Sequence, residues 1–117
     1  MEQYFIIIHP NGRVEKQRAP EENKQLEFLQ EAVGGYIETV PCGITSEGII
    51  IVNEEGKLKN LPENPLASKI SKIYEGDYIV GTAVFAIVAG EDILALPPTE
   101  AEMFANFIKG IGGDANG

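Results

Sequence analysis

Histidine and cysteine occur once each in this 117-residue chain, as His9 and Cys42. A lone histidine excludes a histidine-rich zinc site or a histidine pair, and a lone cysteine excludes an internal disulfide. Basic residues are scarce as well: Lys and Arg total 9 against 18 Asp and Glu, a formal net charge of −9. That balance disfavours a protein whose affinity comes from neutralising duplex phosphates, so direct nucleic-acid binding is not expected. No apolar run approaches the roughly 20 residues of a membrane span, and the polar start before Tyr4 lacks the basic region of a signal peptide. A soluble, cytoplasmic protein with no membrane contact is the expectation. Neither GxGxxG nor a P-loop occurs, and Asp77 and Asp92 lack the alternating oxygen ligands of a calcium loop. No cofactor and no metal are expected.

What is present is a globular composition, 44% hydrophobic and 23% charged, at a length that suits one domain. That domain is placed at residues 1–110, followed by a flexible Gly-rich tail at 111–117. Residues 4–9 are aromatic and β-branched, and Pro10-Asn11-Gly12 turns them into a charged return strand at the sheet rim. Glu21 and Glu22 at the positive end, with Leu26, Leu29 and Val33 at helical spacing, predict a first helix over 21–33 that Gly34 stops. A β-type run over 36–40 follows, and Ile49-Ile50-Ile51-Val52 predicts a central strand buried on both faces. Asn53-Glu54-Glu55-Gly56 reads as a turn that sends residues 57–61 back as a strand.

Farther along, Leu66, Ile70, Ile73 and Tyr74 mark one face of a short helix. Residues 78–88 form the longest β-prone stretch, which Gly81 interrupts as a bulge or a close backbone approach, and 90–98 read as a loop. Thr99 with Glu102 matches a capping box for a last helix bearing Phe104, Phe107 and Ile108. The fold class expected is α+β: a single, mostly antiparallel sheet built from hairpins, with two or three short helices packed on it.

The residues offer little bond-breaking chemistry. His9 beside Pro10 reads as a partly exposed turn residue, and neither Ser46 nor Cys42 lies on a strand-turn-helix elbow that would pair it with His9 as base. Cys42 has no basic sequence neighbour to lower its pKa and reads as a packed side chain. Carboxylate pairs at Glu21/Glu22, Glu54/Glu55 and Glu91/Asp92 suit a helix start, a turn and a loop instead of a catalytic cleft. No catalytic residue and no enzymatic activity are expected. A small-ligand pocket remains open: Arg13 and Arg18 could clamp phosphates, Tyr36 or Phe85 could stack a base, and Asn53, Asn60 or Asn64 could hydrogen-bond a ribose or base edge.

The run Leu29-Gln30-Glu31-Ala32-Val33-Gly34-Gly35-Tyr36-Ile37-Glu38, then Asn53-Glu54-Glu55-Gly56-Lys57-Leu58 and Leu61-Pro62, resembles the phage- and plasmid-borne family called domain of unknown function 3846. Ile79-Val80-Gly81-Thr82, an acidic loop and a short terminal helix extend the likeness over residues 26–108. Members commonly carry Asn-Arg after the Leu-Pro element, where this chain has Asn64-Pro65. The resemblance implies a mobile-element setting and brings no catalytic residues with it. Small phage proteins in that setting include sponges for nucleotide immune signals and acidic mimics of DNA.

The leading expectation is a non-enzymatic phage or prophage accessory protein that binds and sequesters a small anionic, nucleotide-derived ligand as counter-defence, in a pocket completed by homo-oligomerisation. The alternative is an acidic inhibitor or DNA mimic that blocks a host nuclease, a DNA-binding complex or another host defence protein. Its acidic groups are interspersed with lysines, a pattern that also serves solubility.

Overall fold

The first strand, β1 (Tyr4–Ile8), alternates its side chains between two hydrophobic layers. Phe5 and Ile7 belong to one layer with Leu29 and Val33, whereas Ile6 and Ile8 belong to the other with Leu66, Ile70 and Ile108. A strand covered on both sides must be apolar at every position, and that accounts for the unbroken Phe5-Ile6-Ile7-Ile8 run. The computed structural model describes residues 2–113.

Through the His9 to Arg13 turn, β1 pairs antiparallel with β2 (Val14–Arg18), the charged strand at the sheet rim. A 3-10 turn (Glu22–Lys24) leads into α1 (Gln25–Val33), so only the later part of the expected first helix is α-helical. Gly34 ends it with φ 85°, the left-handed cap predicted from sequence. Strand β3 (Ile37–Pro41) then forms a hairpin with β4 (Gly48–Asn53). After α2 (Pro65–Ile70) come β5 (Ala83–Ala89), β6 (Asp92–Leu94) and α3 (Pro98–Gly112). The sheet order is β2-β1-β5-β4-β3, with β6 also on β5, and every pairing is antiparallel. This is the expected α+β class, with one six-stranded sheet and three α-helices among the described residues. Helix α1 covers one face, while α2 and α3 cover the other.

Several local expectations give way to the sheet. Residues 57–61 are not a strand: both edges of β4 are already taken, by β3 and β5, so a chain returning from Asn53 finds no partner. The segment instead closes on itself through Leu61 N to Gly56 O (3.1 Å) and Asn60 N to Lys57 O (3.1 Å). The region read as a loop at 90–98 contains β6. Strand β1 occupies β5 only at Ala83–Phe85, and β6 fills the same edge at Ile87–Ala89.

The second helix stops at Ile70, because Ser71 is extended and bridges to Cys42 while Lys72 N donates to Pro41 O. Ile73 and Tyr74 therefore lie beyond it. Strand β5 begins at Ala83, since Gly81 (φ 79°) turns the chain after Ile79 and Val80. The last helix does not use a Thr99 capping box: it begins at Pro98, with Pro97 as cap and no side-chain bond there, and Glu102 instead meets Lys16 at 3.7 Å. Gly110 and Gly112 continue α3, and Ile111 packs on the core, so the helix takes up the first part of the expected tail. The rest of that tail, residues 114–117, lies outside the described residues.

Candidate functional site

Two irregular segments, 54–64 and 71–82, fold over the side of the sheet where β3 begins and β4 ends. Such segments need side chains to satisfy their backbone groups, and two buried asparagines provide them. Asn53 donates from Nδ2 to Val33 O (3.1 Å) and accepts Glu55 N on Oδ1 (2.8 Å), joining the end of α1 to the turn. Asn64, fully buried, donates to Ile8 O (3.0 Å) and Gly81 O (2.8 Å) and accepts Ala67 N (3.0 Å), which caps α2. Ser68 Oγ accepts Ile79 N at 2.8 Å and fixes the second segment to α2.

Between these segments lies a recess of about 210 Å³ with Val40, Val52 and Ile73 among its apolar walls. Glu38, Glu54, Glu55 and Asp77 line it, against the single cation Lys57. Lys57 is already engaged: its Nζ donates to Asp77 and stands 4.4 Å from the centroid of the Tyr78 ring. The hydrogen bond from Lys57 holds the Asp77 carboxyl below its ordinary range, and the same bond raises the Lys57 ammonium. Large side chains stand in solvent at this end: Tyr36 is 70% exposed, Leu58 84%, Tyr74 89% and Tyr78 42%. Tyr36 O accepts Glu54 N, and Tyr74 O accepts Asp77 N, so both tyrosines are attached to the rim of the recess.

The residues expected to hold a ligand do not converge. Arg13 and Arg18 stand five steps apart along an extended segment, about 17 Å, and an odd separation puts them on opposite faces, so they cannot clamp one phosphate. Each already has a carboxylate nearby: Arg13 meets Glu15 at 3.4 Å and Arg18 meets Glu2 at 3.7 Å. Phe85 is wholly buried with its ring centroid 5.0 Å from that of Phe104, so it offers no face to a base. Asn53 and Asn64 spend their amide groups on the backbone. Asn60 takes a left-handed conformation (φ 55°) in the same turn as Lys57. Tyr36 does not line the recess, but it is 70% exposed and its carbonyl holds Glu54, which does. Sequence reasoning missed Leu58, Tyr74 and Tyr78, because Tyr74 continues the apolar spacing of the second helix and the other two fall in runs read as strands.

His9 and Cys42 are also accounted for. His9 Nε2 is 2.6 Å from Glu15 Oε2, and that bond, with Arg13 nearby, holds the Glu15 carboxyl below its ordinary range. The Cys42 thiol donates to Ile70 O at 3.4 Å, and burial pushes its pKa up, away from a reactive thiolate. Among the described residues, no group of three or more His, Cys, Asp or Glu could hold a metal ion. Nor is any described helix long and apolar enough to cross a membrane.

Fold and surface define an α+β domain that presents tyrosine and leucine side chains among carboxylates. The chain belongs to the family described as domain of unknown function (DUF3846), which matches residues 1–109. No curated protein and no solved structure matches it.

Proposed function

We propose that the chain is a non-enzymatic protein-binding module that seats its acidic, tyrosine-bearing end on a basic surface of another protein. The observation that carries this reading is the exposure of Tyr36, Leu58, Tyr74 and Tyr78 around a recess whose carboxylates outnumber its cations. Burying such a side chain is worth roughly 1.5–3 kcal/mol, which folding here forgoes and a partner recovers. Tyrosine supplies large contact area with few rotatable bonds, and an O–H that finds partners at a polar rim. The overall charge of −9 steers the encounter toward a positive partner. In the mobile-element setting implied by the resemblance, a host nuclease or DNA-binding complex has such a surface.

Sequestration of an anionic nucleotide-derived ligand is the less supported reading. A groove of about 680 Å³ is lined by Arg18 against Glu21, Glu22, Glu91 and Asp92. A phosphate there would meet more repulsion than attraction.

Affinity capture from host lysate tests the proposal, with wild type and a Leu58→Asp/Tyr74→Ser variant as baits at about 0.1 M and higher salt. The expected result is a partner held by wild type at low salt, released at high salt and not held by the variant. Circular dichroism of the variant should match wild type, since both side chains are exposed. A partner indifferent to the substitutions, or a co-purifying nucleotide in place of a protein, overturns it.

A further inference from the structure

Helix α1 has 9 residues and spans about 14 Å. It is too short to cover its whole face of the sheet, and a groove of about 680 Å³ runs beside its first turns toward β6. The apolar lining comes from Leu26, Leu29, Ile37, Ile93 and Ala95. Leu29 and Ala95 are buried, Ile37 and Ile93 are half-buried, and Leu26 is 55% exposed. Carboxylates stand along the rim on two separate elements: Glu21 and Glu22 before α1, Glu91 and Asp92 at the β5–β6 turn. Arg18, the one cation among the described residues that line the groove, stands 3.7 Å from Glu2.

We infer that this groove is a second docking surface, and that its occupant is a basic amphipathic segment of a partner protein. The segment would lay an aliphatic side chain on Leu26 and Ile93 and direct Lys or Arg toward the two acidic rims. Charge complementarity selects the occupant: an acidic segment would be repelled from both sides, and a neutral apolar one would leave the carboxylates without counter-charge. The groove lies on the α1 face, where Leu29, Ile37, Ile93 and Ala95 pack together. The tyrosine-bearing recess lies beside Val40, Val52 and Ile79, which pack on the α2/α3 face. Opposite faces allow both surfaces to be occupied at once, so the domain can bridge two basic elements, on one partner or on two.

Fluorescence anisotropy on the full chain tests this with three labelled peptides: one alternating Lys and Leu, one alternating Lys and Ser, and one alternating Glu and Leu. The Lys/Leu peptide should bind at least about tenfold more tightly than either control. Leu26→Asp and Asp92→Lys should each weaken it about tenfold or more, whereas Glu75→Lys should leave it within about twofold. Amide shifts in nuclear magnetic resonance should move at Leu26, Ile37 and Ile93. Equal binding of the Lys/Ser peptide, insensitivity to Leu26→Asp, or no binding to wild type overturns the inference. Amide shifts confined to Leu58, Tyr74 and Tyr78 would place the peptide on the tyrosine-bearing surface instead and overturn the inference.

Discussion

Asn64 reaches across the molecule to Ile8, donating from Nδ2 to the Ile8 carbonyl at 3.0 Å. The same amide nitrogen donates to Gly81 O while Oδ1 caps α2, so one buried side chain joins β1, the loop before β5 and a helix start. Asn64→Ala removes the cap, worth about 1 kcal/mol, and strands buried acceptors, for a total loss of roughly 2–4 kcal/mol. Asn64→Asp keeps the cap acceptor but faces two carbonyls with a carboxylate, and should lose at least as much. Urea unfolding of both variants checks the order.

Acid should weaken the β1–β2 hairpin through Glu15. Its folded carboxyl sits below the ordinary value of 4.5, chiefly because of the hydrogen bond with His9. A lowered folded pKa stabilises the fold fully above the unfolded value, and that contribution disappears as pH falls through the folded one. Wild type should therefore lose stability below about pH 4.5 more steeply than Glu15→Gln. Thermal melting across pH 3 to 7, roughly the range on either side of carboxylate titration, measures the difference in slope.

Gly81 combines a φ of 79° with a close approach: a Cβ there would come within 2.8 Å of Leu61 Cδ1. Alanine at this position adds left-handed backbone strain to the clash, an expected loss of about 1–3 kcal/mol. Shortening the obstacle in Gly81→Ala/Leu61→Ala should restore less than half of it, because the backbone strain remains and Leu61 packing is lost. Chemical denaturation of the single and double variants resolves the two contributions.

Phe85 belongs to the core, and Phe85→Ala should cost about 3–5 kcal/mol by leaving a cavity against Phe104. At a temperature where the variant stays folded, it should bind the captured partner as wild type does. A selective loss of binding with unchanged unfolding free energy would return Phe85 to the surface chemistry first expected of it.

Much of the fold was legible because burial leaves a direct pattern. Ile49-Ile50-Ile51-Val52 announced a doubly covered strand, and Gly34 announced the end of α1. What could not be read locally was competition for sheet edges. Asn53-Glu54-Glu55-Gly56 is sound turn chemistry, yet whether Lys57 onward becomes a strand depends on the edges of β4, which distant β5 decides. The site was less legible for a related reason. Polar type flagged Asn53 and Asn64, but burial directs their amides inward to the backbone. Tyr74 continues the apolar spacing of α2 and Leu58 follows a turn that suggests a strand, so only coordinates distinguish them from core residues.

The central pairing of Ile6–Ile8 with Ala83–Phe85 joins segments that stand about 75 residues apart in the sequence. During synthesis the first hairpin must wait, unzippered on its inner side, until Ala83–Phe85 have emerged. Contacts of such long sequence separation slow folding toward the millisecond-to-second range. A ribosome that stalled before Phe85 would thus release a chain with its most apolar strand uncovered, a natural target for chaperones and proteases.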